Sequence, residues 1–423
     1  MTSTSPLPLS IVSAEDQQVI DGLLKFIDQE IMPIQKALGE TFTNPRLYWR
    51  EDGHESEAIT KAREAARVAS AKAGYYTMFC PKEFGGADLG MRLWFLCWEA
   101  MHHRYGTPVS QLPYYVLSRF GSGPHEVWSH ASESLKRTVI PELASGRLQG
   151  CFGMTEPDAG SDSWMMKTTA VKDGKDWVIN GTKQWTSWSP TADFVMLYAV
   201  TDKEQVAARK GGISCFYVPT TTPGYRFESV LKIFGHIGGE EGILSFTDVR
   251  IPDEYRVGEL HRGFDLAMLG VRHGRMSNVA MAIGLGRWAM DKAIAYANIR
   301  KTFGKTLAEH QTIQNYLAES VMKLYAARMM ALDCAAKADL GRDVRTETSM
   351  AKLFATRSAY EVIDKCIQIH GGMGIANETG LFEALCHARL IQIGEGASEI
   401  QLRSIAQQLL RGRIDMTFHR NSI

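Results

Sequence analysis

A single glutamate, Glu395, stands between two glycines in the segment I-G-E-G-A-S-E-I that begins at Ile393. Glycine on both sides favours a tight turn, and an apolar run, L-I-Q-I, comes just before it. A carboxylate held in an apolar turn has its pKa raised toward neutrality when water is displaced, which suits a general base. The segment therefore predicts proton abstraction by Glu395. The alternative is that Glu395 caps a helix predicted to follow Ala397.

Two further segments carry small hydroxyls and a large aromatic ring. The loop M-T-E-P-D-A-G-S-D contains Thr155 and Ser161, and the run N-G-T-K-Q-W-T-S-W contains Trp185 and Ser187. Residues two apart on a strand share a face, so Trp185 and Ser187 would point the same way. Hydroxyl donors beside a flat ring suit a flat, polar, aromatic ligand. The alternatives are a solvent-exposed loop for the first segment and a tryptophan in a sheet core for the second.

The last two segments suit phosphate groups. R-K-T-F-G-K begins at Arg300 and is followed by Gln311, while Q-I-H-G-G-M-G begins at Gln368. An arginine is always charged and pairs well with a pyrophosphate, and consecutive glycines let a backbone approach a ligand closely. The alternative for Arg300 is a solvated helix end.

Several familiar motifs are absent or misplaced. G-L-G-R-W-A, from Gly284, matches a dinucleotide pattern but lies in a helical stretch with no strand before it. The G-K-T at Gly304 lacks the upstream glycine of a P-loop. His102 and His103 are adjacent, so on a helix they point apart. We predict no metal site.

The spacing of apolar residues divides the chain into three parts and predicts the helices and strands that support these segments. Helical spacing dominates residues 15–148, strand signals residues 150–259, and helical spacing again from 264 onward. We predict an N-terminal helical domain (1–149), a central β-domain (150–260) and a C-terminal helical bundle (261–423). The bundle helices are predicted at 268–299, 313–340 and 346–370 and after 397. Strands are predicted at 168–171, 177–180, 194–200, 213–218 and 243–249, with turns at Asp173-Gly174 and Asn180-Gly181.

Composition excludes several classes of protein. The 423 residues contain 47 basic and 47 acidic side chains, so no overall field favours nucleic acid or an anionic membrane. Seven scattered cysteines without a C-x-x-C pair favour a reducing compartment. The N-terminus lacks a signal-peptide pattern, and no apolar run approaches the roughly 20 residues of a membrane span. We expect a soluble, cytoplasmic protein.

Taken in order, T-E-P-x-A-G-S-D, R-x-x-F-G followed by Gln311, Q-x-x-G-G-x-G and E-G-x-x-E-I resemble the acyl-CoA dehydrogenase family, over about residues 15–412. The resemblance implies a mostly α, α+β fold: an N-terminal helical domain, a central sandwich or barrel-like β-domain, and a C-terminal four-helix bundle. It also implies a homodimer or homotetramer.

The resemblance further implies FAD, held between the β-domain and the bundle. Met154, Thr155 and Ser161 would line the flavin, Trp185 would pack against it and Ser187 would bond near its N5. The pyrophosphate and adenine would be held from a neighbouring subunit by Arg300, Phe303, Gln311, Gln368, Gly371 and Gly372.

The implied reaction is an α,β-dehydrogenation of an acyl-CoA thioester. Glu395 would remove the α-proton while the β-hydride passes to flavin N5, and the backbone N–H of Glu395 with a ribityl hydroxyl would polarise the thioester carbonyl. Some relatives carry this glutamate on the first bundle helix, where the matching residue here is Gly274. Glycine cannot act as a base.

Four residues would contact the substrate: Ser161, Arg272, Arg275 and Gly394. Gly394 stands where a bulky aromatic is common in the family, which predicts room for a branched, cyclic or longer acyl group. Arg272 would contact CoA or an acyl carboxylate, or else belong to a solvated helix end.

The resemblance implies a role in fatty acid or acyl-CoA catabolism, with an electron-transferring flavoprotein as the electron acceptor. Three alternatives stay open: an acyl-CoA oxidase, a flavin-dependent monooxygenase of the same fold, and a catalytically silent scaffold subunit.

Overall fold

The computed structural model describes residues 12–107, 111–119 and 123–414. The chain forms two compact units. Among the described residues, the helical unit comprises residues 12–25, 90–107, 111 and 274–414, and the sheet unit comprises residues 26–89, 112–119 and 123–273. The predicted boundaries at 149/150 and 260/261 differ from the limits of these units, and the division into three domains stays a prediction. The first ten residues, on which the signal-peptide argument depends, lie outside the described residues.

In chain order the helices are α1 (Ala14–Phe26), α2 (Met32–Ala37), α3 (Glu40–Thr43), α4 (Pro45–Tyr48), α5 (Glu57–Lys72), α6 (Met91–Tyr105), α7 (Glu133–Ala144), α8 (Lys203–Ala207), α9 (Gly263–Ile299), α10 (Gln311–Asp339), α11 (Arg345–His370), α12 (Leu381–Ile393) and α13 (Ser398–Leu410). A π-helical turn (Ile27–Ile31) joins α1 to α2. The strands are β1 (Gly150–Gly153), β2 (Thr169–Asp173), β3 (Asp176–Ser187), β4 (Phe194–Val200), β5 (Ile213–Pro219), β6 (Tyr225–Leu231), β7 (Glu241–Pro252), β8 (Arg256–Val257), β9 (Lys301–Thr302) and β10 (Lys305–Thr306).

The sheet unit is built on eight strands in the order β6-β7-β3-β2-β4-β5-β8, with β1 paired to β4. Strand β4 is parallel to β1 and β2 and antiparallel to β5. Every residue of β4 is buried, because alternate side chains enter two separate apolar clusters, one on each face. A strand covered on both faces reads as a continuous apolar run, which is why F-V-M-L-Y-A-V carries no alternation.

One predicted turn of the sheet is wrong. Asp173-Gly174 joins β2 to β3 as expected, but Asn180-Gly181 lies inside β3. The pairing of β3 with β7 shifts register between Ile179 and Gly181, which marks an irregularity where a second hairpin was predicted. Gly181 has φ +152 and packs so closely on Thr168 that an added Cβ would lie 2.3 Å from its Oγ1. The glycine is therefore explained by a close backbone approach.

The helical unit has a core shared by four helices. Buried side chains of α9, α10, α11 and α12 form one apolar cluster. On α9 this cluster includes Ala289, Ala293 and Ala297, one on each successive turn, so the neighbouring helices can approach closely. The three long helices match the predicted spans 268–299, 313–340 and 346–370 to within five residues at each end.

The predicted fold class is confirmed: a mostly helical α+β protein with a sheet domain and a C-terminal bundle. Within the described ranges, no helix combines the length and the apolar character needed to cross a membrane.

Candidate active site

Glu395 occupies the short link between α12 and α13. Its φ is +55, and that of Gly396 is +95. A left-handed backbone is uncommon for a residue other than glycine and is frequent at functional sites. The predicted tight turn is thus present. The alternative of a helix cap is wrong, because Ala397 is the N-cap of α13 and no side chain caps that helix.

The carboxylate of Glu395 lies directly against Gly274 of α9. A Cβ placed on Gly274 would be 2.2 Å from Oε1 and 2.4 Å from Oε2 of Glu395. The amide nitrogen of Asn278, one helical turn further on, donates to Oε2 at 3.4 Å. The Glu395 carboxylate therefore occupies space that any side chain at position 274 would fill.

The surroundings of Glu395 in the helical unit are polar, so the predicted apolar environment is wrong. The side chain is exposed, and Arg275 and Lys352 are its cationic neighbours. Burial lowers the pKa of Lys352 to about 8; the Glu395 carboxylate opposes this shift and Arg275 adds to it. Burial likewise lowers the pKa of Arg275, against the effect of Glu395. The apolar run before the turn is the last part of α12 and does not enclose the carboxylate.

Side-chain donors hold the backbone of this turn. The Nε of Arg275 donates to the carbonyl of Glu395 at 3.0 Å. The Nζ of Lys352 donates to the carbonyls of Gly394 and Gly396 at 2.5 and 2.6 Å. Sequence reasoning missed Lys352. The sequence feature that could have indicated a role for Lys352 is its position on the buried face of α11, between the buried residues Ala351 and Ala355.

In the sheet unit, a buried ion pair supports the predicted flavin loop. Glu156 and Lys183 are 5% and 0% exposed and lie 2.8 Å apart. The Glu156 carboxylate also accepts the backbone N–H groups of Lys167 and Thr168 at 2.6 and 3.0 Å. Lys183 additionally donates to the carbonyl of Met154 at 3.0 Å. Both residues lie inside the predicted segments, yet neither was assigned a role.

The ion pair changes the titration of both partners. Burial acts to raise the pKa of Glu156, but Lys183 and the hydrogen bonds outweigh it, so the pKa is lowered. Burial lowers the pKa of Lys183 to about 8, against the effect of Glu156.

Trp185 and Ser187 follow Lys183 on β3. The side chain of Trp185 is 52% exposed, so the alternative of a core tryptophan is wrong. Its φ is +58, and the pairing of β3 with β7 shifts register between Lys183 and Thr186. Strand alternation is interrupted there, so spacing alone cannot place Trp185 and Ser187 on one face. The N–H of Gln184 donates to the carbonyl of Thr155 at 2.9 Å, which joins this strand to the predicted flavin loop.

The residues predicted to bind pyrophosphate and adenine share one end of the helical unit. The rings of Tyr296 and His370 stack with centroids 4.6 Å apart, which brings the ends of α9 and α11 together. Phe303 is 96% exposed, with φ +54, at the tip of the β9–β10 hairpin. All six residues are exposed, and all but Phe303 lie at or next to a helix end. They are Arg300, Phe303, Gln311, Gln368, Gly371 and Gly372.

The donor set fits a flavin dinucleotide. The sheet unit offers the hydroxyl of Ser161, on an exposed residue, and the open ring of Trp185. The helical unit offers a guanidinium just after α9 and two glycines after α11 whose Cβ positions have no atom within 4 Å. Hydroxyls, an aromatic face, a fixed cation and open backbone are the groups that bind such a ligand.

Comparison with known proteins decides the family. The model "Acyl-CoA dehydrogenase, middle domain" matches residues 151–249, and "Acyl-CoA dehydrogenase, C-terminal domain" matches residues 261–410. A Bacillus subtilis protein named probable acyl-CoA dehydrogenase YngJ is 33% identical over 94% of this chain and 98% of its own length. The chain belongs to the acyl-CoA dehydrogenase family.

Two further proteins are similar to this acyl-CoA dehydrogenase family member. Caffeyl-CoA reductase-Etf complex subunit CarC of Acetobacterium woodii is 32% identical over 81% of this chain and 88% of its own length. The solved structure of butyryl-CoA dehydrogenase from Megasphaera elsdenii is 25% identical, has a TM-score of 0.80, and covers 95% of this chain and 99% of that one. Members of the family are FAD-dependent flavoproteins and oxidoreductases.

In this family member, Arg272 and Gly394 have defined surroundings. Arg272 lies nine residues inside α9, so the alternative of a helix end is wrong. Its Nη2 is 3.5 Å from Oε1 of Glu126, and burial raises the pKa of Glu126 against the effect of Arg272. A Cβ on Gly394 would be 3.8 Å from the carbonyl of Leu390, an ordinary contact, so position 394 has room for a side chain.

Proposed function

We propose that this acyl-CoA dehydrogenase family member oxidises an acyl-CoA thioester to the 2-enoyl-CoA, with Glu395 as the base. The contact between Glu395 and Gly274 carries this proposal. The resemblance names two positions from which the family supplies the catalytic glutamate, 274 and 395. In this chain the backbone at Gly274 and the carboxylate of Glu395 are in contact, so both positions place a side chain at the same point. Only position 395 bears a carboxylate there.

The protein's own groups divide the work of proton removal. An oxygen of Glu395 accepts the α-proton, and the N–H of the same residue donates to the thioester oxygen as negative charge develops on it. Asn278 restrains the carboxylate through its 3.4 Å contact with Oε2. FAD, when bound, supplies the acceptor for the β-hydride. Loss of one proton and one hydride makes the substrate oxidation a two-electron step.

We also propose that a complete site needs two subunits. Glu395 contacts Gly274, and the 25 residues from there to Ile299 rise about 37 Å along α9. Arg300 and its neighbours lie beyond that far end, too distant for one dinucleotide to reach both Glu395 and them. These residues therefore serve the FAD of a neighbouring subunit, which makes the protein a homodimer or homotetramer.

The electron acceptor is proposed to be an electron-transferring flavoprotein, and the role to be fatty acid or acyl-CoA catabolism. The relative from Acetobacterium woodii is named as part of a reductase-Etf complex. The seven cysteines are unpaired, as suits a reducing compartment such as the cytoplasm.

A second candidate function is the reverse reaction, reduction of a 2-enoyl-CoA. The reductase name of that relative favours it, because one base and one flavin serve both directions. Flavin bleaching by saturated acyl-CoA under anaerobic conditions supports dehydrogenation. Reoxidation of pre-reduced enzyme by enoyl-CoA, without bleaching by any saturated thioester, supports the reductase.

The decisive variant is Glu395→Gln, which keeps the size of the side chain and removes the base. We expect it to retain FAD but to lose flavin reduction by butyryl-, isovaleryl-, cyclohexanecarbonyl- and octanoyl-CoA by a factor on the order of 10²–10⁴. Glu399→Gln, at an exposed position on α13, is the matched control and should reduce normally. Normal reduction by Glu395→Gln would show that another group is the base.

A further inference from the structure

The backbone around Glu395 presents three successive carbonyl oxygens to side-chain donors. Lys352 binds those of Gly394 and Gly396, and Arg275 binds the one between them. The carbonyl of Gly396 also accepts from Nε2 of Gln401 at 2.8 Å. A turn with two consecutive residues at positive φ is thus fixed by contacts from α9, α11 and α13.

Lys352 is the centre of this arrangement. It is 1% exposed, and its ammonium group would be costly to bury without oxygen partners. The two carbonyl oxygens lie 42 and 44 residues away along the chain, so the contact is tertiary.

Peptide planarity turns these contacts into an orientation of N–H groups. The N–H of a trans peptide points opposite to its C=O, and no described peptide bond is cis. When the carbonyl of Gly394 faces Lys352, the N–H of Glu395 must face away from α11. The same holds for the N–H of Ala397, because the carbonyl of Gly396 also faces Lys352.

We propose that Lys352 is a positioning residue for the reaction. It sets the direction of the Glu395 N–H, which polarises the thioester, and it holds the left-handed backbone from which the Glu395 carboxylate projects. This inference rests on the proposed function. One buried ammonium would then control both the base and the oxyanion donor, so its loss should affect the chemical step more than substrate binding.

The test uses Lys352→Met in the full-length, FAD-loaded enzyme. Methionine keeps much of the length and packing of the side chain but donates no hydrogen bond. We expect FAD to be retained, anaerobic flavin reduction to slow by about 10²-fold, and KM for the same thioester to change by less than about threefold. Hydrogen exchange of the amides at 395–397 should accelerate about tenfold, while exchange in the sheet unit stays as in the wild type.

Thr356→Val is the matched control. Thr356 lies one turn further along α11, is 1% exposed and donates to the carbonyl of Lys352 at 2.8 Å. Its substitution removes a buried hydrogen bond of the same helix without touching the turn, so exchange at 395–397 and flavin reduction should remain near wild type. Lys352→Gln, which keeps a donor, replaces the methionine variant if that one does not fold, and should show a smaller loss of the same kind.

Wild-type reduction rates, or unchanged exchange at 395–397, in the Lys352 variants would overturn the inference. Equal effects in Thr356→Val would also overturn it, because they would indicate general loosening of α11. If no thioester reduces the flavin of the wild-type protein, the proposed function fails. The hydrogen-exchange measurement still decides whether Lys352 positions the turn.

Discussion

Gly274→Ala should separate the activity of this protein from its stability. The added Cβ would lie 2.2 Å from Oε1, 2.4 Å from Oε2 and 2.5 Å from Cδ of Glu395. Carbon and oxygen atoms in ordinary contact are about 3.5 Å apart, so the carboxylate must move by about 1 Å. A displacement of that size at a reacting group costs on the order of 10² in rate.

The fold should tolerate the same change well. The clashing atoms are the far end of a flexible, exposed side chain, which can swing aside at little cost. Alanine inside a helix is favoured over glycine by roughly 0.5–1 kcal/mol, and Gly274 lies well within α9. We therefore expect an unfolding midpoint equal to or above that of the wild type.

The assay is stopped-flow bleaching of the flavin by a thioester without oxygen, together with thermal unfolding of the same samples. Gly394→Ala is the matched control, since its Cβ would meet only the carbonyl of Leu390 at 3.8 Å and should leave the rate within about threefold. A wild-type rate in Gly274→Ala would refute the placement of the Glu395 carboxylate. A large fall in the unfolding midpoint would refute the claim that the Glu395 side chain can move aside with little loss of stability.

Two further predictions concern position 394 and the predicted flavin loop. Gly394→Tyr should fold normally, because position 394 has room at Cβ, and should lose reduction by isovaleryl- and cyclohexanecarbonyl-CoA at least about tenfold relative to butyryl-CoA in the same flavin assay. Lys183→Met should lower the free energy of unfolding by about 3–5 kcal/mol, measured by denaturant titration, because it leaves the Glu156 carboxylate buried without its cation. The lowered pKa of Glu156 means that its ionised form stabilises the wild type above the usual value of 4.5 and that this contribution is lost as the pH falls through the lower folded value. Wild-type stability should therefore hold above about pH 4.5 and decline as the pH falls from there through the lower folded pKa of Glu156.

Elements with strong periodicity or complete burial were predictable from the sequence. The long bundle helices repeat apolar residues every three to four positions, and β4 is a continuous apolar run. Strand β6 (Tyr225–Leu231) was not predicted because none of its residues is buried and it includes arginine, glutamate and serine. Helix α12 was not predicted because its apolar residues occur on all sides, which hides the helical period.

The chemistry of the site was predictable only where it is local in sequence. Glycines on both sides of Glu395 indicated its turn, and the structure has that turn. The polar environment of its carboxylate depends on Arg275, 120 residues away, and on the buried Lys352. Contacts of that sequence separation leave no pattern within a segment. The Asn180-Gly181 turn failed for the same reason, since pairing with β7 overrode a local preference.

The left-handed backbone of Glu395 lowers the stability of the folded protein. For an amino acid with a Cβ, that conformation costs on the order of 1 kcal/mol, whereas glycine adopts it without this cost. Replacing Glu395 by glycine would thus relieve the main chain while removing the proposed base. Directed evolution for heat resistance without a catalytic screen would drift toward such inactive sequences, so libraries built on this scaffold should keep codon 395 fixed.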